Sequence, residues 1–151
     1  MNMTMTTSFS AKTLLSSITI GLALLFGASA QASSITVPDS IIVETINGKN
    51  VSFEHTIGLN HGQQLVEINY RDIFQDNADD SGGWVRSEPL YLTLNVDHNQ
   101  RYELATPVIY SEEDAREFLD NPQVTLSING QHHKDVALMT QLQLLTKLVL
   151  K

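Results

Sequence analysis

The sequence predicts a mainly β fold, an antiparallel β-sandwich with one inserted short helix and a second helix at the C-terminus. Three observations carry this reading. Apolar and polar side chains alternate at a period of two along Gln64–Phe74 (through Val66, Ile68 and Tyr70) and Leu90–Val96, as in strands with one buried face. Two Asn-Gly pairs, Asn47-Gly48 and Asn129-Gly130, follow β-branched runs, and this pair suits a type I′ hairpin turn, which needs positive φ at both central residues. After Ser111 the pattern changes to that of a helix.

Taken in order, Ser34–Val37 is a short strand ended by Pro38. Ile41–Ile46 is a stronger one, with Ile42, Val43 and Ile46 as β-branched residues. Lys49–Glu54 returns after the Asn47-Gly48 turn, with Val51 and Phe53 on one face. Gly58–Gly62 reads as a second turn region, ahead of the strand Gln64–Phe74. Gln75–Gly83, carrying Asp76, Asp79, Asp80, Gly82 and Gly83, is a solvated loop. Trp84–Val96 is extended, with Leu90, Leu92, Leu94 and Val96 on one face. Pro89 has no N–H for a ladder, so the segment bends there or lies at a sheet edge. Asp97–Gln100 is a turn and Arg101–Thr106 a short strand.

Ser111 caps the inserted helix, and Glu112-Glu113-Asp114 places negative charge at the positive end of its dipole. Ala115, Phe118 and Leu119 form its apolar stripe. Asn121-Pro122 stops it, because the residue before proline resists helical geometry. Gln123–Ile128 is a strand. Leu138–Leu150 holds Leu138, Leu142, Leu145 and Val149 at helical spacing and reads as a C-terminal helix.

Residues 1–32 read as a cleavable secretory signal peptide. Lys12 precedes the apolar run Leu14–Phe26, and the small residues Ala28-Ser29-Ala30-Gln31-Ala32 follow. The run is too short, and too interrupted by Ser and Thr, for a membrane span. Ala28-x-Ala30 and Ala30-x-Ala32 both suit cleavage, and the preferred cut after Ala32 leaves residues 33–151 as a single β-rich domain of about 119 residues. A periplasmic or secreted location is expected, with no membrane span after processing. The chain has no cysteine, which excludes disulfides, thiol chemistry and thiolate metal sites. Its net charge is −8, and one unit more negative without Lys12, which argues against nucleic acid and anionic lipid as partners.

The order of these features resembles the YccT-like family of small exported bacterial proteins, some of which are called curli synthesis inhibitors. The resemblance lies in the Ile41–Phe53 hairpin with its Asn47-Gly48-Lys49 turn, Gly62-Gln63-Gln64 ahead of Val66–Tyr70, and Tyr70-x-x-Ile73-Phe74 before an acidic loop. It continues in Ser87-x-Pro89-Leu90, Tyr102-x-Leu104 with Pro107, and Glu112-x-x-Ala115-Arg116-x-Phe118 running into Asn121-Pro122-x-Val124. It is weakest beyond Gly130. It implies a periplasmic or extracellular protein that restrains assembly of amyloid fibres, with no catalytic residues to carry over.

Asp76, Asp79 and Asp80 offer hard oxygen ligands for calcium, the alternative role of a small envelope protein. Ala78, Ser81 and Ser87 depart from the EF-hand pattern, and a solvated loop is the simpler reading. His132-His133 reads as part of an exposed turn, since adjacent strand residues point to opposite faces and do not share one ion. His55, His61 and His98 have no neighbours at metal-ligand spacing. No nucleophile motif, Gly-x-Ser-x-Gly or His-Glu-x-x-His, is present, so neither an enzyme nor a cofactor is expected. Trp84, Tyr91, Tyr102 and Tyr110 are the aromatic candidates for a binding face, with Trp84 and Tyr91 placed beside the edge at Pro89. The function expected is a non-enzymatic protein-binding module whose edge strand accepts another exported protein, a curli-type fibre subunit being the partner the resemblance implies.

Overall fold

The computed structural model describes residues 32–75 and 82–150, apart from the side chain of His132. The signal peptide expected over residues 1–32 and the acidic residues Asp76, Asp79 and Asp80 therefore lie outside the described residues, save Ala32.

Among the described residues, eleven strands and two helices follow in the order β1 (Ser33–Thr36), β2 (Ile41–Ile46), β3 (Lys49–Asn50), β4 (Thr56–Leu59), β5 (Gly62–Phe74), β6 (Gly83–Arg86), β7 (Leu90–Val96), β8 (Arg101–Ala105), α1 (Glu112–Asp120), β9 (Gln123–Ile128), β10 (Gln131–Ala137), β11 (Met139–Thr140) and α2 (Gln141–Val149). They form two sheets. One has the order β10-β9-β8-β1-β4 and the other β11-β7-β5-β2-β3, with β6 attached to β5. Both sheets give their inner faces to one buried cluster, which makes the fold a sandwich. Ile35, Val66, Ile68, Tyr70, Val96 and Ala115 are wholly buried in it.

The alternation in β5 and β7 sets the two faces: Val66, Ile68 and Tyr70 point inward, as do Leu90, Leu92, Leu94 and Val96. In β2 the register against β5 shifts between Val43 and Thr45. This bulge puts Glu44 outside and lets Val43 and Ile46, three residues apart, both face the core. The Asn-Gly turns have the positive φ that a type I′ turn needs, 53° and 74° at Asn47 and Gly48, 54° and 70° at Asn129 and Gly130. Each asparagine also ties its turn to a neighbouring strand. The Asn47 Oδ1 accepts from the Leu65 N–H at 2.8 Å, and the Asn129 Oδ1 from the Arg101 N–H at 2.9 Å. Gly48→Val is expected to cost about 1 kcal/mol or more, because a β-branched residue resists φ of +74° even though the space beside Gly48 is open. An unchanged urea midpoint would contradict this.

Several elements differ from the sequence reading. Gly58 lies in a strand, β4, which pairs with β1. Phe53 is 74% exposed and does not share a buried face with Val51. Trp84–Val96 is two strands, β6 and β7, broken at Ser87–Pro89, so the segment bends at the proline. β1 pairs in parallel with β8, the one parallel pairing among the described strands. His132 and His133 stand on β10, not in a turn, and β10 carries a bulge between Gln131 and Lys134. The C-terminal helix starts at Gln141. It buries Leu144 and leaves Leu142, Leu145, Leu148 and Val149 exposed, while Leu138 joins the core ahead of it.

α1 begins with a capping box. The Asp114 N–H donates to the Ser111 Oγ at 3.1 Å, and the Asp114 carboxylate accepts from the Ser111 N–H at 3.0 Å. The Tyr110 N–H, followed by the Ser111 groups, holds that carboxyl below the usual range. The helix buries Ala115 and Phe118, and the Phe118 ring meets Tyr70 at 5.3 Å between centroids. It thereby supports the sheet where β5 leaves β2.

Candidate functional site

The last four residues of β5 run beyond its pairing with β2. Arg71–Phe74 pair with β6 in the register Arg71↔Arg86, Asp72↔Val85, Ile73↔Trp84 and Phe74↔Gly83. The period of two divides this hairpin. Val85 is buried and Phe74 packs on the core, whereas Arg71, Ile73, Trp84 and Arg86 face outward. Ser87 fixes the hairpin to the sandwich: its Oγ accepts from the Tyr70 N–H at 2.8 Å, and its N–H donates to the Tyr70 carbonyl at 2.9 Å. At the other end Glu112 of α1 reaches Gly83 and pairs with Arg116.

Trp84 is 47% exposed and Ile73 40%. The guanidinium carbon of Arg71 lies 4.6 Å from the indole centroid and that of Arg86 5.4 Å. Two arginines opposite each other on an antiparallel pair repel, and the indole π face between them offsets part of that. Beside the hairpin, Pro38, Asp39, Ser40 and Asp72 line one open cleft with Trp84. Ile42, Glu44, Asn69 and Ser87 line another with both arginines. Among the described residues β6 pairs with β5 alone, so its far side carries unpaired backbone groups.

Tyr91 sits on the same outer face of the second sheet, opposite Glu67 on one side and Met139 of β11 on the other. Its strand is thus covered along Leu90 and Tyr91, and Pro89 belongs to no strand. Within the Pro89-containing segment expected at an edge, β6 pairs on one side and β7 is covered by β11. Tyr102 is a core residue: its Oη accepts from the Asp97 N–H at 2.9 Å and donates to the Asn95 carbonyl at 3.4 Å. Tyr110 is 86% exposed, just ahead of α1. His61 and His98, which look unrelated in the sequence, stack at 3.8 Å because β5 pairs with β7 in the register Gly62↔Val96. Among the described residues no three of His, Asp or Glu gather as a metal site. The sequence reading missed Arg71 and Arg86. The signal for them was present, since Arg71 continues the outward phase of β5 and Arg86 lies two residues after Trp84.

Under the site, the Tyr70 hydroxyl is buried and has no hydrogen-bond partner among the described residues. Burial, and then the neighbouring Asp72 carboxylate, push its pKa from 10.0 up to about 12. The folded state therefore favours neutral Tyr70. Its contribution is complete below pH 10.0 and is lost as pH rises through about 12. Tyr70→Phe is expected to abolish this alkaline loss. Urea midpoints of both proteins from neutral to strongly alkaline pH check this, and parallel curves would contradict it.

A family model described as uncharacterized protein conserved in bacteria (DUF2057) matches residues 34–149, from the second residue of β1 to the last of α2. The chain is 32% identical over 111 residues to a UPF0319 protein of Shewanella oneidensis, a match covering 70% of the chain and 49% of that relative. It is 31% identical over 111 residues to a UPF0319 protein of Shewanella baltica, covering 70% of the chain and 48% of the relative. The chain spans about half the length of these curated relatives. No solved structure matches it. With its strands and helices spanned from β1 to α2, the chain belongs to the DUF2057 family of bacterial proteins.

Proposed function

We propose that the protein is an exported, non-enzymatic binding module, periplasmic or secreted, that restrains the assembly of curli-type amyloid fibres by capping a partner strand. The observation that carries this reading is the hairpin of β5 and β6, where the half-exposed Trp84 stands on a strand that, among the described residues, is paired on one side only. An edge of this kind adds a partner strand through backbone hydrogen bonds, and a neighbouring aromatic anchors it. A strand so capped cannot template the next fibre subunit. The resemblance to the YccT-like family supplies the target, and the charge of −8 keeps the module away from nucleic acid. β10, the seven-residue edge of the first sheet, carries a bulge together with Lys134 and Asp135, which supports β6 over β10 as the edge in use.

The test is fibre growth of a curli-type subunit followed with a fibre-binding dye. The purified protein should slow growth at sub-stoichiometric amounts. Trp84→Ala should lose most of that effect while keeping its circular dichroism spectrum, since Trp84 lies outside the core. No slowing at an equimolar ratio would sink the reading. A folded Trp84→Ala protein that inhibits as well as the parent would remove the site from it.

A further inference from the structure

Among the described residues the two guanidinium groups beside Trp84 contact its indole ring and form no ion pair. Among the described residues the ion pairs are His55 with Asp39 and Arg116 with Glu112, and neither involves Arg71 or Arg86. Among the described residues, carboxylates beside the hairpin have other contacts, Glu112 with Arg116 among them. Glu44 accepts from the Asn69 Nδ2 at 3.1 Å, Asp72 from the Ile73 N–H at 2.8 Å, and Asp39 lies 3.5 Å from His55. Both arginines are exposed, and they sit directly opposite each other in a chain of net charge −8. Opposed like charges cost stability. They are compatible with a surface that awaits an anion, whose charge would relieve the repulsion and accept the guanidinium donors.

We propose that Arg71, Trp84 and Arg86 read an acidic peptide strand, one whose alternate residues carry carboxylates, added alongside β6. This rests on the strand-capping reading and names the chemistry of the partner. Trp84 and Arg86 are two residues apart on one face of β6, so their side chains repeat at the spacing of alternate residues in any strand laid next to it. An added strand places every second side chain on that outer face. One carboxylate there meets Arg86 beside Trp84, and the next lies within reach of the same cationic patch. The unpaired backbone groups of β6 favour a peptide over a small anion, because a small anion would leave them unused.

Trp84 is the single tryptophan of the chain, so its fluorescence reports this site alone. The probes are a capped nine-residue peptide alternating threonine with glutamate, the same peptide with lysine for glutamate, inorganic phosphate and galacturonate. The glutamate peptide is expected to change Trp84 emission saturably, and more weakly as salt rises. Arg71→Gln and Arg86→Gln should each weaken it at least about tenfold with an unchanged circular dichroism spectrum, as loss of a charge-assisted contact does. The lysine peptide should give no saturable change. The inference is overturned if the glutamate peptide gives none either, if the two peptides bind alike, or if the arginine variants bind like the parent. It is also overturned if phosphate or galacturonate binds as tightly as the glutamate peptide, which would make the site one for small anions. Its failure is separable from that of the capping reading. Fibre growth slowed by the protein without glutamate-peptide binding removes only the acidic-strand inference. Binding without any effect on fibre growth removes only the fibre role.

Discussion

Phe118→Ala is expected to destabilise the protein by about 3–5 kcal/mol, the range for removing a buried aromatic ring. Phe118 is the main apolar side chain by which α1 holds the sandwich, and its ring packs on Tyr70 at 5.3 Å. Truncation leaves a cavity at the point where β5 separates from β2 and continues into the hairpin with β6. The capping box at Ser111 survives, so the helix itself persists and the loss is one of packing. In thermal melts the midpoint should fall by more than about 10 °C. A change below about 1 kcal/mol would show that α1 is peripheral to the core. The hairpin that carries Trp84 rests on this packing, so the same variant should also weaken the site.

Ile35→Ala is expected to cost about 3 kcal/mol, within the usual range for a buried isoleucine. Ile35 is the wholly buried centre of β1, opposite Ile57 of β4 and Tyr102 of β8. β1 joins those two strands, so the cavity lies at the seam of the first sheet. Ser33 adds to that seam by donating to the Asp97 carbonyl at 2.7 Å and accepting from the Gln100 N–H at 3.2 Å. Thr36→Ala, at a neighbouring half-buried position, removes the 3.0 Å hydroxyl contact with Thr56 and should cost no more than about 1 kcal/mol. Equal effects of the two substitutions in urea unfolding would contradict the placement of β1.

Elements with a local cause were legible in the sequence. α1 could be read from Ser111 to Asn121 because capping and proline act within one turn. β2, the two Asn-Gly turns and β9 were legible for the same kind of reason. Elements fixed by distant partners were not. β4 looks like a turn because Gly58 sits in it, and only its pairing with β1 makes it a strand. The parallel pairing of β1 with β8 joins segments too far apart to leave a turn signature. β10 is exposed and bulged, so it lacks the alternation that reveals a half-buried strand. The leucines of Leu138–Leu150 gave the C-terminal helix its spacing, and within α2 it is Leu144 that is buried.

The site was partly legible. Trp84 could be singled out as an aromatic near a proline break, but its arginine neighbours come from strands 15 positions apart and meet through the register Arg71↔Arg86. Tyr91 could be named as readily, and the short strand β11, which covers its edge, gave no sign in the sequence.

Backbone amide exchange of the protein, alone and mixed with a curli-type fibre subunit, tests the capping account most directly. β6 now pairs on one side, so the amides of Gly83–Arg86 that do not bond to β5 should exchange freely in the protein alone and become protected in the mixture. Protection that appears at β10 or β4 instead, or no added protection anywhere while fibre growth is slowed, would contradict it.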